Sequence, residues 1–550
     1  MSEIDGLADE YLDLRSRTAP LWATFLGVSG YDDLLPDASA AGEAAAAERL
    51  RDIASRAEAL STDQLSPTDR VSRAVLVQEA IGQAEQLEDA HTELSIFGPF
   101  APLSQVFLGI SLTPASGTAD VLARLRSLPT YLGQVGERFR AGAERGRGPH
   151  ATGLRLTVDQ VSSYLALDLD SDPLFQPASG TPYADETREA LRDEVRSAMQ
   201  GLLDVLSGPV AAKVRDDERP GLAHIPDGDA IYRRALAFHT TTTRTPEEVH
   251  QAGLDLCAEL REEYARLGES VFGSKDVVDV LHRLRNDLGL RYTNKEEMVA
   301  EARAAIVRVE EVLPQWFGTF HRAPCEVQEM GELEAPGGVL GRYLPPATDG
   351  SRPGYHLINT HKPHTRTRYE YETLAYHESV PGHHLQLTVS QELGAETPGF
   401  RRYGYIAAFS EGWGLYTERL CEEMGLYSAD LTRFGMVSFD SWRACRLVVD
   451  TGMHHLGWSR QRAIDFMWEN SALTMENIVN EVDRYIAWPG QACAYMAGRF
   501  EISELRTRAQ QKLGSSFDIR AFHDAVLLNG SIPLPVLRDE VERKLSLSSG

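Results

Sequence analysis

The chain has 550 residues, 42 % of them hydrophobic and 25 % charged, a composition expected of a globular protein with roughly two to four domains. A formal net charge of -26 argues against nucleic acid and anionic membranes as partners. The five cysteines are scattered and form no C-x-x-C, and no window approaches the ~18 uninterrupted apolar residues of a membrane-spanning helix.

The first residues, Met1 to Asp5, carry no basic stretch followed by an apolar one, so no signal peptide is expected and a cytoplasmic location is the expectation. Residues 5–18 and 42–90 read as amphipathic helices, with Leu50, Ile53, Ala57 and Leu60 at helical spacing. A loop at 97–102 precedes a helix over 117–145, which the glycines of 146–153 end. Residues 170–181 are rich in Asp, Pro, Ser and Gly and read as a connector, or equally as a lid loop over a site, before a helix over 182–207.

Thr245-Pro246-Glu247-Glu248 predicts a helix start, with Thr as cap, Pro in the first turn and Glu three residues after the cap. Thr293 is read as the cap of a helix over 294–316. Strand-like pieces at 326–327, 337–344 and 355–360, with a turn-rich insert over 345–354, predict a small antiparallel sheet. Every candidate metal ligand follows it. A boundary is therefore expected within 208–245, dividing an N-terminal helical half (1–225) from a catalytic helical half (226–550).

The chemistry concentrates at His377-Glu378-Ser379-Val380-Pro381-Gly382-His383-His384. Imidazoles clustered beside an acid suggest a transition-metal site, most often zinc. In H-E-x-x-H the second ligand stands at i+4, but here that position is Pro381. His383, at i+6, would be rotated roughly 240° around a straight helix, and His384, at i+7, would lie about 10.5 Å along it. The helix must therefore be distorted. Pro381 lacks the N–H for the carbonyl of His377, and Gly382 accepts almost any backbone angle. With two residues looped out, His383 could take the usual second-ligand place and leave Glu378 facing a metal-bound water. The competing reading is a helix ended by Pro-Gly, with its histidines on the surface.

Glu411, in a helical segment with Gly412 and Trp413, would complete a His2Glu set able to bind one zinc ion and leave a position open for water. Glu418 is a candidate to orient a ligand from behind. Further on, Arg446, Asp450 and His454 recur every four residues and share a helix face. A helix ending at Arg484-Tyr485 is followed by a Pro489-Gly490 turn and a new helix from Gln491. Tyr485, Gln491 and Tyr495 are candidates to point at the site. Residues 500–547 read as helical, with a turn at 529–531 and a frayed end.

The H-E-S-V-P-G-H-H motif at 377–384, Glu411-Gly412-Trp413 and Tyr485-Ile486-Ala487-Trp488-Pro489-Gly490-Gln491 together resemble the bacterial domain-of-unknown-function 885 family. The resemblance extends over nearly the whole chain, including Thr24-Phe25-Leu26-Gly27. It implies kinship with helical zinc peptidases of the thimet oligopeptidase and neurolysin type. The implied fold is mainly α, a large multi-helix architecture with a deep cleft and a small sheet before the metal helix. His377, His383 and Glu411 would hold the metal, with His384 as the alternative ligand; the Gly-His that closes the motif in those peptidases favours His383. Glu378 would be the general base, and Tyr485, Tyr495 or His454 the oxyanion donor. The strand from Tyr355, together with Arg446, Gln491 and Tyr495, would bind substrate. The expected activity is hydrolysis of peptides or a small amide. A non-catalytic binding protein and a zinc amidohydrolase acting on a non-peptide amide are the alternatives, and the sequence does not fix the oligomeric state.

Overall fold

The computed structural model describes residues 2–26, 28–98, 101–111, 118–331, 335, 339–347 and 352–547. Gly27, residues 99–100 of the expected loop, the expected helix start at 117, the strand start at 337–338, 348–351 of the insert and the terminal 548–550 lie outside the described residues. The chain is mainly helical, with one three-stranded sheet among the described residues. None of the described helices is long and apolar enough to cross a membrane.

The chain forms two compact units. The first comprises Met1–Ala235, Met453–Gln461 and Asn480–Pro489, and the second Leu236–Gly452, Arg462–Val479 and Gly490–Gly550. A single break at 225/226 leaves the two later segments of the first unit with the other half. Two helices change unit along their length: Asp430–His454 gives its last residues to the first unit, and Met475–Ala487 its later part.

In the first unit, the helix expected over 42–90 is two helices, Ala40–Ala59 and Pro67–Glu88. The second starts where Ser66 accepts the N–H of Asp69, with Pro67 at the first position. A proline there has no N–H to continue the preceding helix and is pre-set to begin a new one. The helix Thr118–Glu144 packs Leu125, Leu128 and Val135 against Val195, Met199 and Leu202 in the core of this unit.

The second unit opens on the helix Pro246–Phe272. Thr245 Oγ1 accepts the N–H of Glu248 at 3.3 Å, and Glu248 Oε2 accepts the N–H of Thr245 at 2.8 Å, a reciprocal capping box. Thr245→Ala is expected to lower stability by about 1 kcal/mol, read as a shift of the urea midpoint. The helix Lys295–Trp316 is capped by Asn294 and not by Thr293: Asn294 Oδ1 accepts the N–H of Glu297, while the Thr293 hydroxyl donates to the Glu297 carboxylate.

The sheet consists of β1 (Cys325–Glu329), β2 (Gly341–Leu344) and β3 (Gly354–Ile358), in the order β1-β3-β2. It is mixed, which corrects the antiparallel expectation. β2 and β3 pair antiparallel with Tyr343 opposite His356, whereas β1 lies parallel to β3 with Val327 opposite His356. Alternation along a strand fixes which side chains share a face but carries no information on the direction of its partner.

Candidate metal centre

The motif does not sit on one bulged helix. It joins two helices, Tyr371–Glu378 and His383–Gln391. Between them Ser379 and Gly382 leave helical geometry, with ψ of -125° and -127°, and the Val380–Pro381 peptide is cis. The His384 N–H reaches back to the Ser379 carbonyl at 3.1 Å, spanning five residues instead of four. A Cβ on Gly382 would stand 2.0 Å from the His377 carbonyl oxygen and 2.4 Å from that of Tyr376. Only glycine lets the chain turn so tightly over the end of the first helix. The Trp413 indole N–H donates to the Pro381 carbonyl at 2.9 Å and ties this turn to the helix Ala407–Glu423.

The detour brings the His383 imidazole beside that of His377, with ring centroids 4.6 Å apart and planes at 84°. Glu411, early in the helix Ala407–Glu423, completes the group. Its Oε2 lies 3.4 Å from His377 Nε2 and 3.5 Å from His383 Nε2. One ligand atom from each residue fits within 4.8 Å of the others. Donors held about 2.0–2.1 Å from a tetrahedral zinc stand about 3.3 Å from one another, so the two imidazole–carboxylate spacings fit that ion. All three residues are buried, and Gly414 lets the helix lie flat against His377: a Cβ there would come 2.6 Å from Cε1 of the ring.

Glu418 stands two turns beyond Glu411, and seven residues return a helix to nearly the same face. Its Oε1 accepts the His377 Nδ1–H at 2.7 Å. That bond keeps a proton on Nδ1 and makes Nε2, on the Glu411 side, the nitrogen available to a metal. Glu418→Ala is therefore expected to weaken zinc binding about 10–100-fold, measured by competition with a chromophoric chelator.

The electrostatics suit a cation. Burial alone would lower the His377 pKa, but its bonds with Glu411 and Glu418 hold it up at about 9. Burial would raise the Glu411 carboxyl, yet the two histidines hold it well below its ordinary value. A metal entering between them would displace the imidazole proton. Glu378, half-buried at the end of the first motif helix, is pushed up by burial and by Glu411, against the opposing pull of the histidines.

His384 is occupied elsewhere. Its Nε2–H donates to the Ala323 carbonyl at 3.0 Å, and its Nδ1 accepts from the Tyr343 hydroxyl at 2.9 Å. Two residues that sequence reasoning missed belong to the site. The Tyr405 hydroxyl donates to Glu411 Oε1, while the residue remains 41 % exposed. His356, on β3, is fully buried, and burial and the charge of His377 push its pKa down to about 4. A tyrosine in a short loop and a histidine in an alternating strand carry no local signature of either placement.

Of the remaining candidates, His454, Tyr485 and Tyr355 lie in other surroundings, whereas Tyr495 stands near enough to Tyr405 for its charge to be felt there. His454 donates from Nε2 to the Tyr485 carbonyl and accepts the Leu222 N–H at Nδ1, both at 3.0 Å, within the first unit. Burial pushes its pKa down to about 3. The Tyr485 hydroxyl donates to Glu481 Oε2 at 2.6 Å in the same unit. Tyr355 packs with Leu344 against Met330 and Leu357, on the sheet face opposite His356. Arg446 and Tyr495 stack on each other at 4.3 Å in the second unit, Asp450 accepts the Gly490 N–H at 3.0 Å, and Gln491 is buried.

A family model described as a bacterial protein of unknown function (DUF885) matches residues 20–541. No curated protein matches the chain. Among solved structures, a candidate lipoprotein from Colwellia psychrerythraea is similar with a TM-score of 0.92 at 25 % identity, over 100 % of both chains. A candidate lipoprotein of unknown function from Shewanella oneidensis gives 0.79 at 18 % identity, over 98 % of this chain and 99 % of that one.

Proposed function

We propose that this chain, which belongs to the DUF885 family of bacterial proteins, is a zinc-dependent peptidase. The observation that carries the proposal is the approach of Glu411 Oε2 to the Nε2 atoms of His377 and His383 at 3.4 and 3.5 Å, with Glu418 fixing the His377 tautomer. Zinc, when bound in such a set, lowers the pKa of a water toward about 7 and polarises a carbonyl oxygen.

The protein's own groups then divide the work. His377 and His383 offer Nε2 as ligand atoms, and Glu411 offers a carboxylate oxygen. Glu378, next to the first ligand, takes the proton from the water as it attacks the carbonyl carbon and passes it to the leaving amine. The Tyr405 hydroxyl, held at Glu411, is the donor best placed to turn toward the oxygen that gains negative charge. His454 and Tyr485 have their polar atoms committed to other partners.

Kinship with the thimet oligopeptidase type, a deep cleft and a preference for short peptides belong to the same proposal, supported by the motif. So does a cytoplasmic location, supported by five free cysteines, four of them buried; fractionation of the producing cell tests it. The activity is tested by incubating the protein with a mixed peptide library, with and without a chelator. New termini that vanish with the chelator and return on adding zinc are expected. A protein that holds zinc tightly yet cleaves no peptide would leave the hydrolytic chemistry for another amide and refute the substrate class.

A further inference from the structure

The helix Asp430–His454 carries a cation that has no counterpart in the mechanism above. Arg443 is 5 % exposed, and its Nε and Nη1 are buried without a hydrogen-bond partner among the described residues. Leaving guanidinium donors open in a protein interior is costly, and buried arginines normally form a direct ion pair. Carboxylates are near: Glu418, Glu411 and Glu378 all exert their charge on or feel that of Arg443. None of them bonds to it. Glu418 accepts from His377, and Glu411 is shared between the two histidines and Tyr405.

Aromatic rings hold the guanidinium instead. Its central carbon lies 4.6 Å from the Phe439 ring centre, 4.3 Å from that of Trp442 and 5.9 Å from that of Tyr495. A second guanidinium, Arg446, lies over Trp442 and Tyr495 at 4.4 and 4.3 Å. Stacking satisfies the faces of a planar cation but leaves its N–H groups in the plane unused. An arginine serving only as counter-charge to the metal ligands would gain more by bonding to one of them. A planar, rigidly held cation with open donors beside a hydrolytic centre is suited to a carboxylate.

We infer, resting on the peptidase reading, that Arg443 is the anchor of a subsite for a carboxylate of the substrate, placing that group beside the metal centre. The carboxylate is either the C-terminus of a peptide, which makes the protein a carboxyl-end exopeptidase, or an acidic side chain. The aromatic walls contributed by Trp442 and Tyr495 would pack the apolar part of the same residue. In a protein with a net charge of -26, a buried cation at the site supplies local attraction for an anionic substrate that the surface repels.

The test compares three peptides of one neutral sequence: the free acid, its C-terminal amide, and the amide with one residue changed to Glu. Cleavage by the zinc-loaded wild type is followed by mass spectrometry, and binding is measured by calorimetry on the Glu378→Gln protein. The free acid is expected to be bound and cleaved roughly 10–100-fold better than the amide, the scale of a hydrogen bond to a charged group. Arg443→Ala should abolish that preference and Arg443→Lys should retain part of it, with zinc content unchanged in both. Recovery of the preference by the Glu-containing amide supports the subsite and assigns it to a side chain. Equal cleavage of all three overturns the subsite and leaves the peptidase reading intact. Tighter binding of the acid without cleavage of any peptide keeps the subsite and removes the peptidase. The wild-type comparison decides the matter even if the arginine variants fail to fold.

Discussion

Replacing Glu378 by Gln is expected to leave zinc bound and to cut peptide turnover about 10²–10⁴-fold, the scale of a lost general base. Glutamine keeps the shape and polarity of the side chain but cannot take the proton of the attacking water. The metal should stay because Glu378 is not one of the three converging donors: Glu411 Oε2 closes the set with His377 and His383. The lost turnover should appear in kcat more than in KM, since the proton is taken only on the way to the transition state. A Glu378→Gln protein that loses its zinc, or that cleaves peptides at the wild-type rate, would show that the two glutamates have been given each other's roles.

The second large effect separates two adjacent histidines. His383→Ala removes one of three protein donors and is expected to abolish stable zinc binding. His384→Ala is expected to retain the metal, because both His384 nitrogens are committed, one to the Ala323 carbonyl and one to the Tyr343 hydroxyl. Its cost should fall on the packing of the second motif helix against the sheet. Zinc content and thermal melting of the two variants check this together. Zinc loss in His384→Ala with zinc retained in His383→Ala would overturn the assignment.

What the sequence makes legible follows how local each cause is. The Thr245 capping box is written in four consecutive residues and forms as such. The cap of the helix Lys295–Trp316 is misplaced by a residue, because Thr293 and Asn294 are both competent and only the backbone geometry decides between them. The approach of His383 to His377 can be argued from Pro381 and Gly382, since no regular helix permits it. The form it takes cannot be so argued: two separate helices, pinned by the Trp413 indole on the Pro381 carbonyl. Helical spacing gives Arg446, Asp450 and His454 a common face but not the neighbours along it. The helix Asp430–His454 crosses from one unit to the other, so His454 meets Leu222 and Tyr485. Tyr405, His356 and the open donors of Arg443 depend wholly on contacts between distant segments, and no periodicity announces them.

The most direct measurement is the zinc content of the purified wild-type protein, by elemental analysis before and after exhaustive chelation and titration with zinc. The convergence of His377, His383 and Glu411 predicts about one zinc per chain, removed by the chelator and restored on titration, with affinity lost in Glu411→Ala. A chain that takes up less than about a tenth of an equivalent under those conditions, where a site with three protein ligands should fill, would contradict the account and leave a helical binding protein in place of an enzyme.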